Sequence, residues 1–243
     1  MRILVVNPNT TLSMTDKIGA AARAVAAPGT KVVAVSPEMG PASIEGCYDE
    51  AYAVPGMLEE IRKGKDLGFD GYVIACFDDP GLDAARSIAR GPVVGIAEAA
   101  MHAATLVGQS FTIVTTLGRA IPTMRHLALK YGFERHCRNV RAAEFPVLSL
   151  EDPDSDARPL LRAEISCAVD EDRPDSIVLG CAGMADLNRE LSEEFGLPVI
   201  DGVAAAVKLV EALVGLGLRT SRRGGYARPL AKRYAGEFAR FAP

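Results

Sequence analysis

Short, continuous apolar runs alternate with amphipathic stretches along most of this chain. Residues 3–6, 31–35, 71–75 and 92–96 are rich in Val and Ile and lack polar alternation, the pattern of strands buried on both faces. Between them, residues 15–27, 49–63 and 80–90 carry helical periodicity, and Asp79-Pro80 fits an N-cap followed by proline in the first turn. Strands alternating with helices predict an α/β fold, with a parallel sheet covered on both faces.

A second series repeats the first. Residues 111–115, 139–142, 176–180 and 198–200 read as strands, and 118–131, 158–172 and 185–195 as helices. Phe69-Asp70-Gly71-Tyr72-Val73-Ile74-Ala75-Cys76 corresponds to Pro174-Asp175-Ser176-Ile177-Val178-Leu179-Gly180-Cys181, an offset of 105 residues (76 to 181). Pro92 and Pro198 give 106, and Ile3 and Phe111 give 108. A nearly constant offset marks a duplicated unit. The expected organisation is two pseudo-symmetric lobes, 1–97 plus 202–243 and 98–201. The helical stretch 202–218 would cross back onto the first lobe.

Composition narrows the chemistry. Hydrophobic residues at 49% and charged residues at 24% describe an ordinary globular chain, and the net charge of −4 offers nothing general to nucleic acid or anionic lipid. Tryptophan is absent and aromatics are 6%, which argues against a base-stacking surface. No apolar run approaches the ~18 residues of a membrane span, and the N-terminus lacks signal-peptide character, so a cytoplasmic location is expected. Five cysteines, an odd number with none in a C-x-x-C pair, argue against a disulfide framework or zinc ribbon. No metal is expected. His102, His126 and His136 are isolated and read as packing or surface residues. The basic tail 219–243, with seven Lys/Arg against Glu237, reads as a helix laid on the other lobe or on a partner subunit.

Cys76 and Cys181 each stand where an apolar strand meets a polar or glycine-rich turn. Ligands of parallel α/β sheets bind beyond the carboxyl ends of the strands, so two lobes packed face to face would bring both thiols to one cleft. One thiolate removing a proton and one thiol delivering a proton to the opposite face is the requirement of a racemase that uses no cofactor. Backbone N–H groups and a nearby helix start are expected to favour the thiolate. Alone, either cysteine reads as a small apolar filler, and Cys47, Cys137 and Cys167 keep that reading.

Around these residues the sequence resembles the aspartate/glutamate/hydantoin racemase superfamily, in its hydantoin and allantoin racemase branch. The segments that carry the resemblance are Val6-Asn7-Pro8-Asn9-Thr10-Thr11, Gly40-Pro41-Ala42-Ser43-Ile44-Glu45-Gly46, Ala75-Cys76-Phe77-Asp78-Asp79-Pro80-Gly81-Leu82, Val94-Gly95-Ile96-Ala97-Glu98-Ala99-Ala100 and Val178-Leu179-Gly180-Cys181-Ala182-Gly183-Met184. The resemblance implies two Rossmann-like lobes, an active site in the interlobe cleft, no cofactor, Cys76 and Cys181 as the two bases, and a homo-oligomer. Phe77 and Ala182-Gly183 stand where amino-acid racemases of the superfamily carry polar groups, which suits an uncharged 5-substituted hydantoin better than a zwitterion. Asn9, Phe77, Thr116, Gly118, Ala182 and Gly183 are the candidate substrate-binding residues. Glu45 and Tyr48 are candidates for the cleft mouth. Allantoin racemization, a decarboxylase or cis–trans isomerase of the superfamily, and a non-catalytic ligand-binding protein are the alternatives.

Overall fold

The computed structural model describes residues 1–243 and contains two four-stranded parallel sheets of identical topology. In the first half, β1 (Arg2–Val6), β2 (Lys31–Val35), β3 (Gly71–Ile74) and β4 (Val93–Gly95) lie in the order β2-β1-β3-β4. In the second, β5 (Phe111–Thr115), β6 (Cys137–Ala142), β7 (Ser176–Leu179) and β8 (Val199–Ile200) lie in the order β6-β5-β7-β8. Every residue of β3, β5 and β7 is buried, which is why these segments read as unbroken apolar runs rather than alternating ones. The α/β fold with two equivalent parallel sheets is therefore the one the sequence predicts.

Eight helices cover the sheets: α1 (Leu12–Val25), α2 (Cys47–Asp66), α3 (Leu82–Ile88), α4 (Ile96–Val107), α5 (Ile121–Lys130), α6 (Ala157–Cys167), α7 (Asn188–Phe195) and α8 (Gly202–Gly215). The core runs continuously between the halves. Ile3, Val5 and Val73 of the first sheet meet Ile113 and Val178 of the second through the alanine-rich face of α4 and the valine-rich face of α8. The alternate residues Leu4, Val6 and Tyr72 point to the opposite face and pack with Met57 and Ile61 of α2, as the two-residue period of a strand requires.

Helices α4 and α8 follow the last strand of each half and pack on one another, and α8 also lies on β3, β4 and α1. Their N-terminal turns cross closely. A Cβ on Gly202 would stand 2.5 Å from the Ile96 carbonyl oxygen, so only glycine fits there.

Two sequence expectations fail here. Asp79-Pro80 predicted a helix beginning at Pro80, yet α3 begins at Leu82, after a left-handed Gly81. Asp79 is itself left-handed, and its carboxylate caps α4 instead. Oδ1 accepts the Ala97 N–H (3.1 Å), and Oδ2 accepts the Glu98 N–H (3.0 Å) and the Tyr131 hydroxyl (2.8 Å). Gly95, at the N-cap position of α4, makes room: a Cβ there would sit 2.2 Å from the Asp79 carboxyl carbon. In the second half Asp201 occupies the equivalent position and caps α8 directly, accepting from Val203 and Ala204.

The second failure is the tail. No α-helix follows Gly215; residues 219–243 form only short 3₁₀ turns at Gly224–Tyr226 and Gly236–Phe241. Gly224, Gly225, Pro229 and Gly236 interrupt any helix. The segment is pinned to α3 of its own chain. Arg222 donates to the carbonyls of Arg86 (3.2 Å) and Ser87 (3.0 Å), and the Tyr226 hydroxyl donates to Asp83 (3.0 Å). No helix is long and apolar enough to cross a membrane.

Burial pushes the Asp79 carboxyl up to about 7 despite its three donors. Removing it therefore costs mainly through the buried donors left unpaired. Asp79→Ala and Gly95→Ala are each expected to lower unfolding stability by about 2–4 kcal/mol in urea titrations, and the double variant to fall well short of the sum. A loss below about 0.5 kcal/mol for Asp79→Ala contradicts this reading.

Candidate active site

Loops at the carboxyl ends of β1, β3, β5 and β7 converge on a single narrow cavity. The two cysteines enter it from equivalent positions. The Ala75 N–H bonds to the Val6 carbonyl and the Gly180 N–H to the Val114 carbonyl, both at 2.8 Å, as the last rungs of their ladders. Cys76 and Cys181 are the next residues, the first free of the sheet, and both line the cavity. The same turn follows each: the Asp79 N–H bonds to the Cys76 carbonyl (3.0 Å), and the Met184 N–H to the Cys181 carbonyl (3.1 Å). The N–H two residues on, from Asp78 and from Gly183, points at the respective sulfur.

These N–H groups do not prevail, contrary to the expectation of a favoured thiolate. Burial pushes Cys181 up to about 11. Cys76 is raised well above the ordinary thiol value, by burial first and then by the Asp78 carboxylate. One N–H bond per sulfur does not replace the water removed from it. Asp78 also lines the cavity, and burial together with the Glu50 carboxylate pushes it up to about 7.

Of the candidate binding residues, Asn9, Phe77, Thr116 and Ala182 line the cavity. Asn9 Oδ1 accepts from the Asn7 amide (2.9 Å) and the Thr11 N–H (3.0 Å), so it shapes the loop into α1 while its amide nitrogen contacts only the Met14 sulfur (3.2 Å). Gly183 stands behind Cys181 rather than in the wall. Gly118 turns away, its N–H donating to Glu144 at 3.1 Å. Glu45 lines the cavity and accepts the Val147 N–H (2.9 Å), joining the two halves across the mouth. Tyr48 lies outside, exposed and packed at a tilt against Tyr52. His102, His126 and His136 lie outside as well. No His/Cys/Asp/Glu group has the arrangement of a metal site.

Sequence reasoning missed most of the apolar wall: Met14, Ile44, Leu117, Met124 and Val147. Met14 and Met124 lie within α1 and α5, where their spacing signals only a core face. Asp78 was within reach, being two residues from a candidate cysteine. No Lys, Arg or His lines the cavity, so it offers no side-chain cation to pair with a free carboxylate.

The family model described as Asp/Glu/Hydantoin racemase matches residues 3–210. The chain is 52% identical to a hydantoin racemase of Rhizobium meliloti, over 97% of this chain and 98% of that protein. Among solved structures it is similar to an allantoin racemase from Klebsiella pneumoniae, at 56% identity and a TM-score of 0.97, covering 100% of this chain and 99% of that one. An allantoin racemase from Pseudomonas fluorescens superposes with a TM-score of 0.93 at 38% identity, covering 97% and 100%.

With both thiols raised, neither is a thiolate at neutral pH. The 240 nm absorbance difference between wild type and Cys76→Ser/Cys181→Ser is expected to stay flat from pH 6 to 8 and to rise only above about pH 9. A thiolate signal already present at pH 7 contradicts it.

Proposed function

The chain belongs to the Asp/Glu/hydantoin racemase family, and on that premise we propose that it racemizes 5-monosubstituted hydantoins without a cofactor, with Cys76 and Cys181 on opposite faces of C5. The observation that carries this reading is the placement of two thiols at equivalent strand ends, one from each half, on a single cavity. Both protonation states of the pair are chemically useful. The thiolate takes the C5 proton, the electron pair passes into the adjacent carbonyl as an enolate, and the opposite thiol returns its proton to the other face. The enzyme then holds the mirror-image thiol and thiolate, ready for the other enantiomer.

The Asn9 amide and the Thr116 hydroxyl are the side-chain donors available to the enolate oxygen and the ring edge. A thiol titrating near 11 is ionised in only about one molecule in 10⁴ at pH 7, but it is a correspondingly strong base toward a weak carbon acid. The wall of Met, Ile, Leu and Val side chains and the absence of a cation suit a neutral ring with an apolar 5-substituent. A second reading, allantoin as substrate, is supported by the 56%-identical allantoin racemase and by the Glu45 and Asp78 carboxylates, which are acceptors for a ureido group.

Circular dichroism of enantiopure L-5-benzylhydantoin in D₂O, with the C5 proton followed by NMR, tests the proposal on chelator-dialysed protein. Decay to zero with C5 deuteration is expected, and loss of at least roughly 10³-fold in rate on Cys76→Ser or Cys181→Ser. Decay on (S)-allantoin alone moves the substrate to allantoin. No decay on either overturns the racemase reading. The log of kcat/KM is expected to rise by about one per pH unit from pH 7 to 9, as the mixed thiol–thiolate form accumulates.

A further inference from the structure

The two halves match in the course of strand, cysteine and turn, and they differ in the two side chains that follow the cysteine. Cys76-Phe77-Asp78 in the first half faces Cys181-Ala182-Gly183 in the second. Both residues at the third position present a backbone N–H to the sulfur, so the local support of each thiol is the same. Only Asp78 adds a carboxyl group, and it stands in the cavity wall. No side chain within hydrogen-bond or ion-pair distance neutralises it; the charged group felt most strongly from α2 is another carboxylate, Glu50.

The surroundings extend the difference. On the Cys76 side the charged neighbours are Asp78 and Asp79, with no cation. On the Cys181 side Lys17 of α1 is paired with Glu151 at 2.7 Å and donates to the Leu150 carbonyl at 2.9 Å, so that thiol faces a balanced pair. Asp78 is the largest charged influence on both thiols, but on Cys76, two residues away, it outweighs the turn N–H, whereas on Cys181 it ranks below the Gly183 N–H.

We infer that Asp78 is a positioning residue that assigns the resting roles, keeping Cys76 as the thiol and leaving Cys181 to surrender its proton to water first. The inference rests on the two-thiol reading above and adds a direction to it: in the small fraction of free enzyme that carries one thiolate at neutral pH, the thiolate is Cys181 and the thiol opposite it is Cys76. A pair made equivalent by duplication is thereby made unequal by one side chain. The carboxylate also resists loss of the second proton, which would leave no acid in the site.

The test needs no substrate, so its failure is separate from failure of the racemase reading. The rate of iodoacetamide alkylation of Cys76 and of Cys181 is followed from pH 6 to 11 by peptide mass spectrometry, each rate giving its own midpoint whatever the accessibility of the sulfur. In wild type the Cys181 midpoint is expected below that of Cys76. In Asp78→Asn, and in Asp78→Gly, which copies the second half, the Cys76 midpoint is expected to fall by one pH unit or more and the Cys181 midpoint by less. Asp78→Glu is expected to restore the wild-type order. A wild-type Cys76 midpoint at or below that of Cys181 overturns the inference. So does a Cys76 midpoint unmoved in both carboxylate-free variants, or a Cys181 shift as large as that of Cys76.

Discussion

The close crossing of α4 and α8 is the constraint on which the site depends. Each helix begins at the end of the last strand of its own sheet, and the two meet where Gly202 leaves no side chain against the Ile96 carbonyl. That contact fixes how far apart the carboxyl ends of β3 and β7 stand, and with them the two cysteines. The alanine-rich face of α4 and the valine-rich face of α8 extend the approach into one continuous core, so the halves are not free to drift as separately packed bodies. The caps reinforce it from either side, Asp201 within its own helix and Asp79 from the loop that also carries Cys76.

A second consequence of this packing is that both thiols are half-buried in a mostly apolar cavity. The thiols sit at the bottom of a cavity with an apolar wall and no cation, and the price of that setting is that both are poor acids at neutral pH. For proton abstraction from carbon this is a workable bargain, because base strength grows as the thiol pKa rises. It also accounts for the kind of ligand the cavity suits. A zwitterion or dicarboxylate would enter without a counter-charge, whereas a neutral heterocycle loses little on leaving water.

Much of this was legible in the sequence. Continuous Val/Ile runs gave away the central strands because parallel strands are buried on both faces, and the equivalent cysteines emerged because duplication preserved their place in the repeat. The unread parts share a physical cause: they depend on contacts between residues distant along the chain. Asp79-Pro80 looks like a local helix cap, but the missing side chain at Gly95 lets the carboxylate reach α4 instead. Met14 and Met124 are ordinary helical core positions until the halves are brought together. The thiol acidity was misjudged because the turn N–H groups are visible in a pattern of residues while the depth of burial is not. The tail offered charge but no helical period, and charge alone does not make a helix.

The central claim is that the two thiols work on opposite faces of one carbon, and isotope exchange in the single serine variants tests it most directly. Each enantiomer of the hydantoin is incubated separately in D₂O with Cys76→Ser and with Cys181→Ser, and C5 deuteration is followed by NMR alongside optical rotation. The account predicts that each variant deuterates one enantiomer without racemizing it, and that the two variants choose opposite enantiomers. Exchange of the same enantiomer by both variants, or racemization at near wild-type rate by either, would contradict it.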